Sequence, residues 1–325
     1  MKQLGARGQV KQLDKQGLPA DELIAALHGC DAVISYLSEK FSQQVISSCP
    51  TLKVIANIAV GYDNVDIEAA SASSVLVTNT PGVLDETTAD LAFGLLLACA
   101  RRIVEADRLV RAGSWQGWDP DLMLGVDVHG KTIGVVGLGR IGKAVARRGL
   151  GFGMKVIYTT KSMARVEQEE QLPGLTLVSL PELLKSADFI SLNCPLNKET
   201  YHLIGEREFN LVKPGAILIN TARGAIIDQQ ALINALEGGR LGAAGLDVFE
   251  NEPCVPERLL RNNVVVAPHI GSATIETREA MAELAAGALI SALSGQLPPN
   301  AVNSEIWPRF LARLSTSSCD QEEKV

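Results

Sequence analysis

The apolar run Thr132-Ile133-Gly134-Val135-Val136 leads into Gly137-Leu138-Gly139-Arg140-Ile141-Gly142 and then into the helical stretch Lys143-Ala144-Val145-Ala146-Arg147-Arg148. A strand that ends in a glycine turn and feeds a helix directly belongs to a sheet with helices packed on it. The first glycine permits the turn, the second lets backbone approach a pyrophosphate, and the third lets the helix lie close to the strand. Free N–H groups at the positive end of the helix then face the phosphates. The spacing points to dinucleotide binding, with a bare structural turn as the alternative.

Short apolar runs alternate with helical patterns over most of the 325 residues. Residues 32–36, 53–57, 75–78, 155–159, 189–192, 216–219 and 264–266 read as strands. Such runs separated by helices predict α/β architecture with parallel sheets covered on both faces. The length allows two domains. The expectation is two Rossmann-like or flavodoxin-like parallel-sheet domains, one discontinuous: 1–78 and 268–325 form the substrate-binding domain, and 79–267 the dinucleotide-binding domain. Thr87–Arg111 reads as one long helix, apolar on more than one face at its start. It either meets a partner subunit as well as its own sheet or is a buried core helix. The polar tail Ser315–Val325 is expected to be disordered.

A net charge of −7 argues against a nucleic-acid partner, which calls for a basic face. The longest apolar stretch, near Leu91–Ala100, is too short to span a bilayer, and the N-terminus carries no secretory h-region, so no membrane partner is expected. The six scattered cysteines include no C-x-x-C pair, which disfavours a metal or disulfide framework and points to the reducing cytoplasm.

Three segments put reactive side chains at strand ends: Asn220-Thr221-Ala222-Arg223-Gly224, Leu246–Pro253 with Asp247 and Glu252, and Pro268-His269-Ile270-Gly271-Ser272. The carboxyl ends of parallel strands line the ligand crevice. There an arginine grips a carboxylate through two hydrogen bonds, a histidine moves a proton near neutral pH, and a carboxylate beside it favours the imidazolium. Taken singly, Arg223 could cap a turn or pair with Asp228, Glu252 could face solvent, and His269 could satisfy a carbonyl. Beside the glycine turn the three together favour catalysis. His28, His129 and His202 have no comparable setting in sequence.

With Ala59–Asp66, Thr78–Gly82, Thr88–Ala92, the glycine turn, Asn220–Gly224, Gly245–Pro253 and Pro268–Ala273, the chain resembles the D-isomer-specific 2-hydroxyacid dehydrogenases, most closely their glyoxylate/hydroxypyruvate reductase branch. The resemblance runs from about Leu18 to Asn303. It implies that Arg223 binds the substrate carboxylate and keto oxygen, that His269 is the general acid in reduction, and that Glu252 keeps it protonated. It gives the Val60 and Gly61 N–H groups the other end of the carboxylate. It implies cofactor contacts at Gly137, Gly139, Arg140, Ile141, Gly142, Cys194, Pro195, Thr221, Asp247, Gly271 and Ser272. Trp118 resembles the aromatic that reaches across a homodimer to wall the partner's pocket, or else packs in the interface. A small 2-keto acid is the implied substrate, and metal has no implied part.

Charge reads on the cofactor. An acid about 20 residues past the glycine turn holds the ribose 2′-hydroxyl of NAD, whereas a cation accommodates the 2′-phosphate of NADP. Here strand 155–159 ends in Thr160-Lys161-Ser162, and the next acid along the chain is Glu167. This favours NADP, with NAD tolerated if Lys161 is only a solvated lysine.

By comparison with the family, roughly fifteen residues before Met1 are expected to be missing. That would remove a strand of the substrate-domain sheet. Rival expectations are a phosphoglycerate or 2-ketogluconate type of dehydrogenase, a dinucleotide-sensing corepressor type, and an inactive truncated product.

Overall fold

The computed structural model describes residues 5, 8–161 and 173–322, with side chains of the last helix as far as 315. The chain forms two compact units, Met1–Leu84 with Thr274–Val325, and Asp85–Ala273.

In the first unit, β1 (Ala32–Ser35), β2 (Val54–Asn57) and β3 (Leu76–Thr78) form a parallel sheet in that order. All of β2 and β3 is buried. Helices Gln43–Ser47 and Ile67–Ala72 start where Ser42 and Asp66 accept the N–H groups of Val45 and Ala69, which supplies partners to otherwise orphan donors. Phe41, Val45, Ile46, Leu52, Ile55 and Val77 belong to one core. Helix Ile275–Leu293, N-capped by Thr274, returns to pack on β2. The chain then reaches Asn303, whose Oδ1 accepts the Val77 N–H at 2.9 Å and whose Nδ2 donates to Val75 O at 3.0 Å.

The second unit is a seven-stranded parallel sheet. Its strands are β4 (Thr132–Val136), β5 (Lys155–Thr159), β6 (Leu175–Leu177), β7 (Phe189–Leu192), β8 (Ala216–Asn220), β9 (Leu241–Leu246) and β10 (Val264–Val266). Their order is β10-β9-β8-β7-β4-β5-β6. Alternation along each strand feeds two cores. Ile217 and Ile219 of β8 face one with Phe93, Leu96 and Val145, while Leu218 faces the other with Leu183, Phe209 and Leu232. The order reverses between β4 and β7, the switch point at which such sheets open a ligand crevice.

Three expectations need correction. The long helix is two, Asp85–Ala100 and Ile103–Arg111, because Arg102 turns left-handed (φ 54°). The Ala100 carbonyl accepts the Val126 N–H at 2.9 Å, a partner from a distant segment that local pattern does not reveal. The tail expected to be disordered continues helix Trp307–Glu322, which after Pro308 in its first turn holds no Gly or Pro as far as Glu322. Strands β6 and β9 add to those expected; the segment of β9 had read only as an apolar stretch. Among the described residues no helix is long and apolar enough to cross a membrane.

Candidate active site

The turn between β4 and helix Arg140–Gly151 has the shape its glycines predict. Gly137 sits at φ 93°, and a Cβ there would come within 2.8 Å of the Cys194 nitrogen on the loop after β7. A Cβ on Gly142 would lie 2.0 Å from the Gly137 carbonyl oxygen. By contrast, a Cβ on Gly139 would meet nothing within 4 Å. Packing therefore explains the outer two glycines but not the middle one. Gly139 is also the helix N-cap and has no side chain to cap it. Open space beside uncapped N–H groups suits an anion. Arg140 and Ile141 occupy the first two helical positions.

Neighbouring strand ends carry the rest of this crevice. Burial pushes the Cys194 thiol up to about 11, so it stays protonated at neutral pH. The adjoining Pro195 carbonyl accepts the Thr200 hydroxyl at 2.6 Å, which fixes the loop. Thr221 Oγ1 and Asn193 Oδ1 are buried with no hydrogen-bond partner among the described residues, a state that calls for a bound group or water. These open faces, uncapped donors and buried polar atoms fit a dinucleotide. At the end of β5, Lys161 Nζ lies 3.0 Å from Glu199 Oε2. The sequence showed no nearby carboxylate to oppose a 2′-phosphate; the fold brings one from the loop after β7. Ser162 lies outside the described residues.

Arg223, Glu252 and His269 follow β8, β9 and β10, which are adjacent in the sheet. Asn220 shapes the first turn by accepting the Ala222 N–H at 3.0 Å and donating to Arg223 O at 2.9 Å. Arg223 Nη1 donates to Ala222 O at 2.8 Å. Glu252 Oε2 lies 2.8 Å from His269 Nδ1, while its Oε1 accepts the Phe249 N–H at 3.1 Å. Burial alone would raise the Glu252 pKa. The hydrogen bond and charge of His269, the Phe249 N–H and the Arg223 charge outweigh it and hold this carboxyl below its usual range. With Nδ1 engaged, Nε2 of His269 is the nitrogen left to serve a ligand. His269 adopts φ 56°, a conformation that costs a histidine energy and is concentrated at functional sites.

Asp247 is 1% exposed and braces this histidine. Its carbonyl accepts the His269 N–H, and its carboxylate accepts those of Ile270 and Gly271 at 2.7 and 2.8 Å. Burial pushes its pKa up against these bonds and the His269 charge. Ser272, half-buried, follows Gly271 in the same turn.

The family model described as "D-isomer specific 2-hydroxyacid dehydrogenase, NAD binding domain" matches residues 93–271. The chain is 53% identical over 298 residues to the glyoxylate reductase of Thermococcus litoralis, covering 90% of this chain and 89% of that protein. The chain belongs to the D-isomer-specific 2-hydroxyacid dehydrogenase family. A crystal structure of a Thermus thermophilus protein matches it with TM-score 0.86 at 46% identity, over 93% of this chain and 95% of that one. An NADPH-dependent glyoxylate/hydroxypyruvate reductase from Sinorhizobium meliloti, solved with NADP and malonate, matches with TM-score 0.80 at 36% identity over 87% of each chain. This 2-hydroxyacid dehydrogenase is thus an oxidoreductase with a nicotinamide dinucleotide cofactor, built on two parallel-sheet α/β units.

Two further sets of candidates belong to other segments of the chain. Val60 and Gly61 belong to the first unit, where Asn79 and Asn57 donate to their carbonyls at 2.8 and 3.0 Å. Trp118 is 85% exposed, so it lines no pocket of its own unit. Sequence reasoning missed Asn193, Glu199 and the pair His202–Glu250; Glu199 and the pair acquire their partners from segments distant in the chain, and no local pattern marks them.

Proposed function

We propose that this dehydrogenase reduces glyoxylate, and hydroxypyruvate with it, to the 2-hydroxy acid, using NADPH in preference to NADH. The observation that carries the reading is the Glu252–His269 pair at 2.8 Å, formed across the ends of β9 and β10, with β9 adjoining the strand that bears Arg223. The identity to curated glyoxylate reductases supports the substrate. Arg223 holds the substrate carboxylate through its planar fork. His269 delivers a proton from Nε2 to the carbonyl oxygen, and Glu252 stabilises the charged ring before that transfer. When bound, the dinucleotide would supply a hydride for the carbonyl carbon. Gly137, Gly139, Arg140, Ile141 and Gly142 receive its pyrophosphate, while Cys194, Pro195, Thr221, Asp247, Gly271 and Ser272 line or brace its remaining path. The Val60 and Gly61 N–H groups, whose carbonyls are already engaged, suit an anionic oxygen on the first unit.

Thr160 and Lys161 at the end of β5 favour the 2′-phosphate, and the Sinorhizobium meliloti relative was solved with NADP. Glu199 tempers that preference, so NADH is also accepted. Ile103, Val110, Trp115, Trp118 and Leu124 are exposed along residues 103–126, a segment we assign to a homodimer interface. Cytoplasmic residence fits the free cysteines Cys30, Cys49, Cys99, Cys194 and Cys254.

The test is oxidation of NADPH and of NADH with glyoxylate, hydroxypyruvate, pyruvate and 2-ketogluconate. Glyoxylate with NADPH should give the highest kcat/KM. A higher value for 2-ketogluconate would overturn the substrate assignment, and a higher value with NADH the cofactor assignment.

A further inference from the structure

A second histidine–glutamate pair stands two residues from the first. His202 Nε2 lies 2.9 Å from Glu250 Oε1, with both side chains largely buried. Like His269, His202 has a left-handed backbone, at φ 49°. Its ring stacks on Tyr201, and its N–H donates to Ala225 O at 2.9 Å. Glu250 uses its other oxygen as well: Oε2 accepts the Gln229 N–H, and Gln229 Oε1 accepts the Glu250 N–H, both at 3.4 Å.

These bonds join three segments. Gln229 opens helix Gln229–Glu237, just after the turn Gly224–Ile226 that follows Arg223. The Arg223 turn and the Glu250 segment touch backbone to backbone, since a Cβ on Gly224 would lie 1.9 Å from the Phe249 carbonyl carbon and 2.3 Å from the Glu250 nitrogen. One residue back, the Phe249 N–H holds Glu252 Oε1. The Glu250 carboxylate is thus the point where the arginine-bearing turn, the glutamate-bearing loop and the His202 segment are tied together.

We propose that His202 and Glu250 are positioning residues that clamp the Arg223 turn to the Glu252 loop and so aim Glu252 at His269. An Nε2–H is present both in a neutral tautomer and in the imidazolium, so the clamp holds without a change of protonation. The charged groups it arranges are Glu252, Arg223, His269 and Asp247, which face one another at the adjacent strand ends. The inference rests on the reading that His269 and Glu252 are catalytic.

The test compares His202→Ala, His202→Gln, Glu250→Gln and His269→Ala in the full chain. It measures kcat, KM for glyoxylate, the pH profile of kcat, the dinucleotide Kd by fluorescence, and Tm. A misaligned catalytic group costs roughly 10–100-fold, and His202→Ala should lose kcat on that scale with dinucleotide Kd nearly unchanged. Its pH profile should move in the same direction as that of Glu252→Gln. His202→Gln keeps an N–H donor and should recover most of the loss. A lower Tm with kcat and pH profile unchanged would reduce the pair to a structural contact and overturn the proposal. Should His202→Ala fail to fold, Glu250→Gln, with one acceptor oxygen in place of two, must show the pH shift; its absence overturns the clamp. An inactive His269→Ala beside a fully active His202→Ala removes the clamp alone, whereas a fully active His269→Ala removes the catalytic reading beneath it.

Discussion

The Asp247 carboxylate accepts the Gly271 N–H at 2.8 Å, and so fixes the turn that carries His269 from a strand two removed from β8. Its other oxygen holds Ile270. Asp247→Ala would orphan two N–H groups, and that of the buried Gly271 costs about 1–3 kcal/mol when left unsatisfied. Asp247→Asn keeps one acceptor. We expect the asparagine variant to fold and to lose kcat by roughly 10–100-fold through misplacement of His269. Unchanged kcat with a lowered Tm would confine Asp247 to stability.

His269→Ala should lower kcat by roughly 10²–10⁴-fold, the usual worth of a general acid, and spare dinucleotide affinity. In Glu252→Gln the neutral amide no longer favours the protonated ring, so the alkaline limb of the reduction profile should move to lower pH. Glu252 itself is held below the ordinary carboxylate value of about 4.3. It stays ionised as pH falls through that value and is protonated only below it, so the wild-type acid limb should not arise from Glu252 above about pH 4.3. Unmoved limbs in Glu252→Gln would uncouple the two residues.

Arg223→Lys replaces a planar fork by a point charge. KM for glyoxylate should rise and kcat fall together. If both constants survive, Arg223 serves the turn at Asn220 and the carboxylate binds elsewhere.

The Lys161–Glu199 contact makes cofactor choice tunable in either direction. Glu199→Gln should tighten NADPH and leave NADH nearly unchanged, because it removes a negative charge from beside the 2′-phosphate. Lys161→Ala should weaken NADPH selectively. Equal effects on both dinucleotides, measured by fluorescence titration, would place the 2′ position away from Lys161.

Asp188 gives an acid-stability prediction. It precedes β7, pairs with Lys213 at 2.6 Å and accepts the Thr132 N–H of β4 at 2.9 Å. Burial raises its pKa, but Lys213, the Thr132 N–H and the Lys131 charge outweigh that and leave it lowered. A depressed folded pKa gives stability that is present above the unfolded value of about 3.9 and lost as pH falls through the folded one. Asp188→Asn should lower Tm by about 2–4 °C at neutral pH. The gap should close below about pH 3.9. A constant gap across pH would assign the effect to shape and not to charge.

What the sequence disclosed follows how local each signal is. The β4 turn was legible because its three glycines and its flanking strand and helix all lie within seventeen residues, 132–148. Arg223, Glu252 and His269 could be named because each follows a strand end. Strand β9 was obscured by its own packing: Leu241-Gly242-Ala243-Ala244-Gly245-Leu246 has little β-branched character, yet a Cβ on Gly245 would meet Ile219 and Leu95 at 2.9 Å, so small residues are needed there. Strand β6, at three residues, is too short for alternation to register. The helix break at Arg102, the Glu199 partner of Lys161 and the His202–Glu250 clamp all depend on chain segments that meet only after folding.

The Asn303 side chain, which closes on Val75 and Val77 across 228 and 226 residues, bears on the timing of folding during synthesis. Asp85–Ala273 is contiguous, so its last strand clears the ribosome before the returning helix Ile275–Leu293 does. Domains mature as units in the order they emerge. The first residues translated therefore belong to the unit that is completed last, and β1, β2 and β3 must wait with one face uncovered while the later-encoded unit folds. Nascent chains stalled with Asn303 still inside the ribosomal tunnel should show a protease-resistant 85–273 beside a cleavable 1–84. Equal resistance of both would mean that β1, β2 and β3 settle without their C-terminal half.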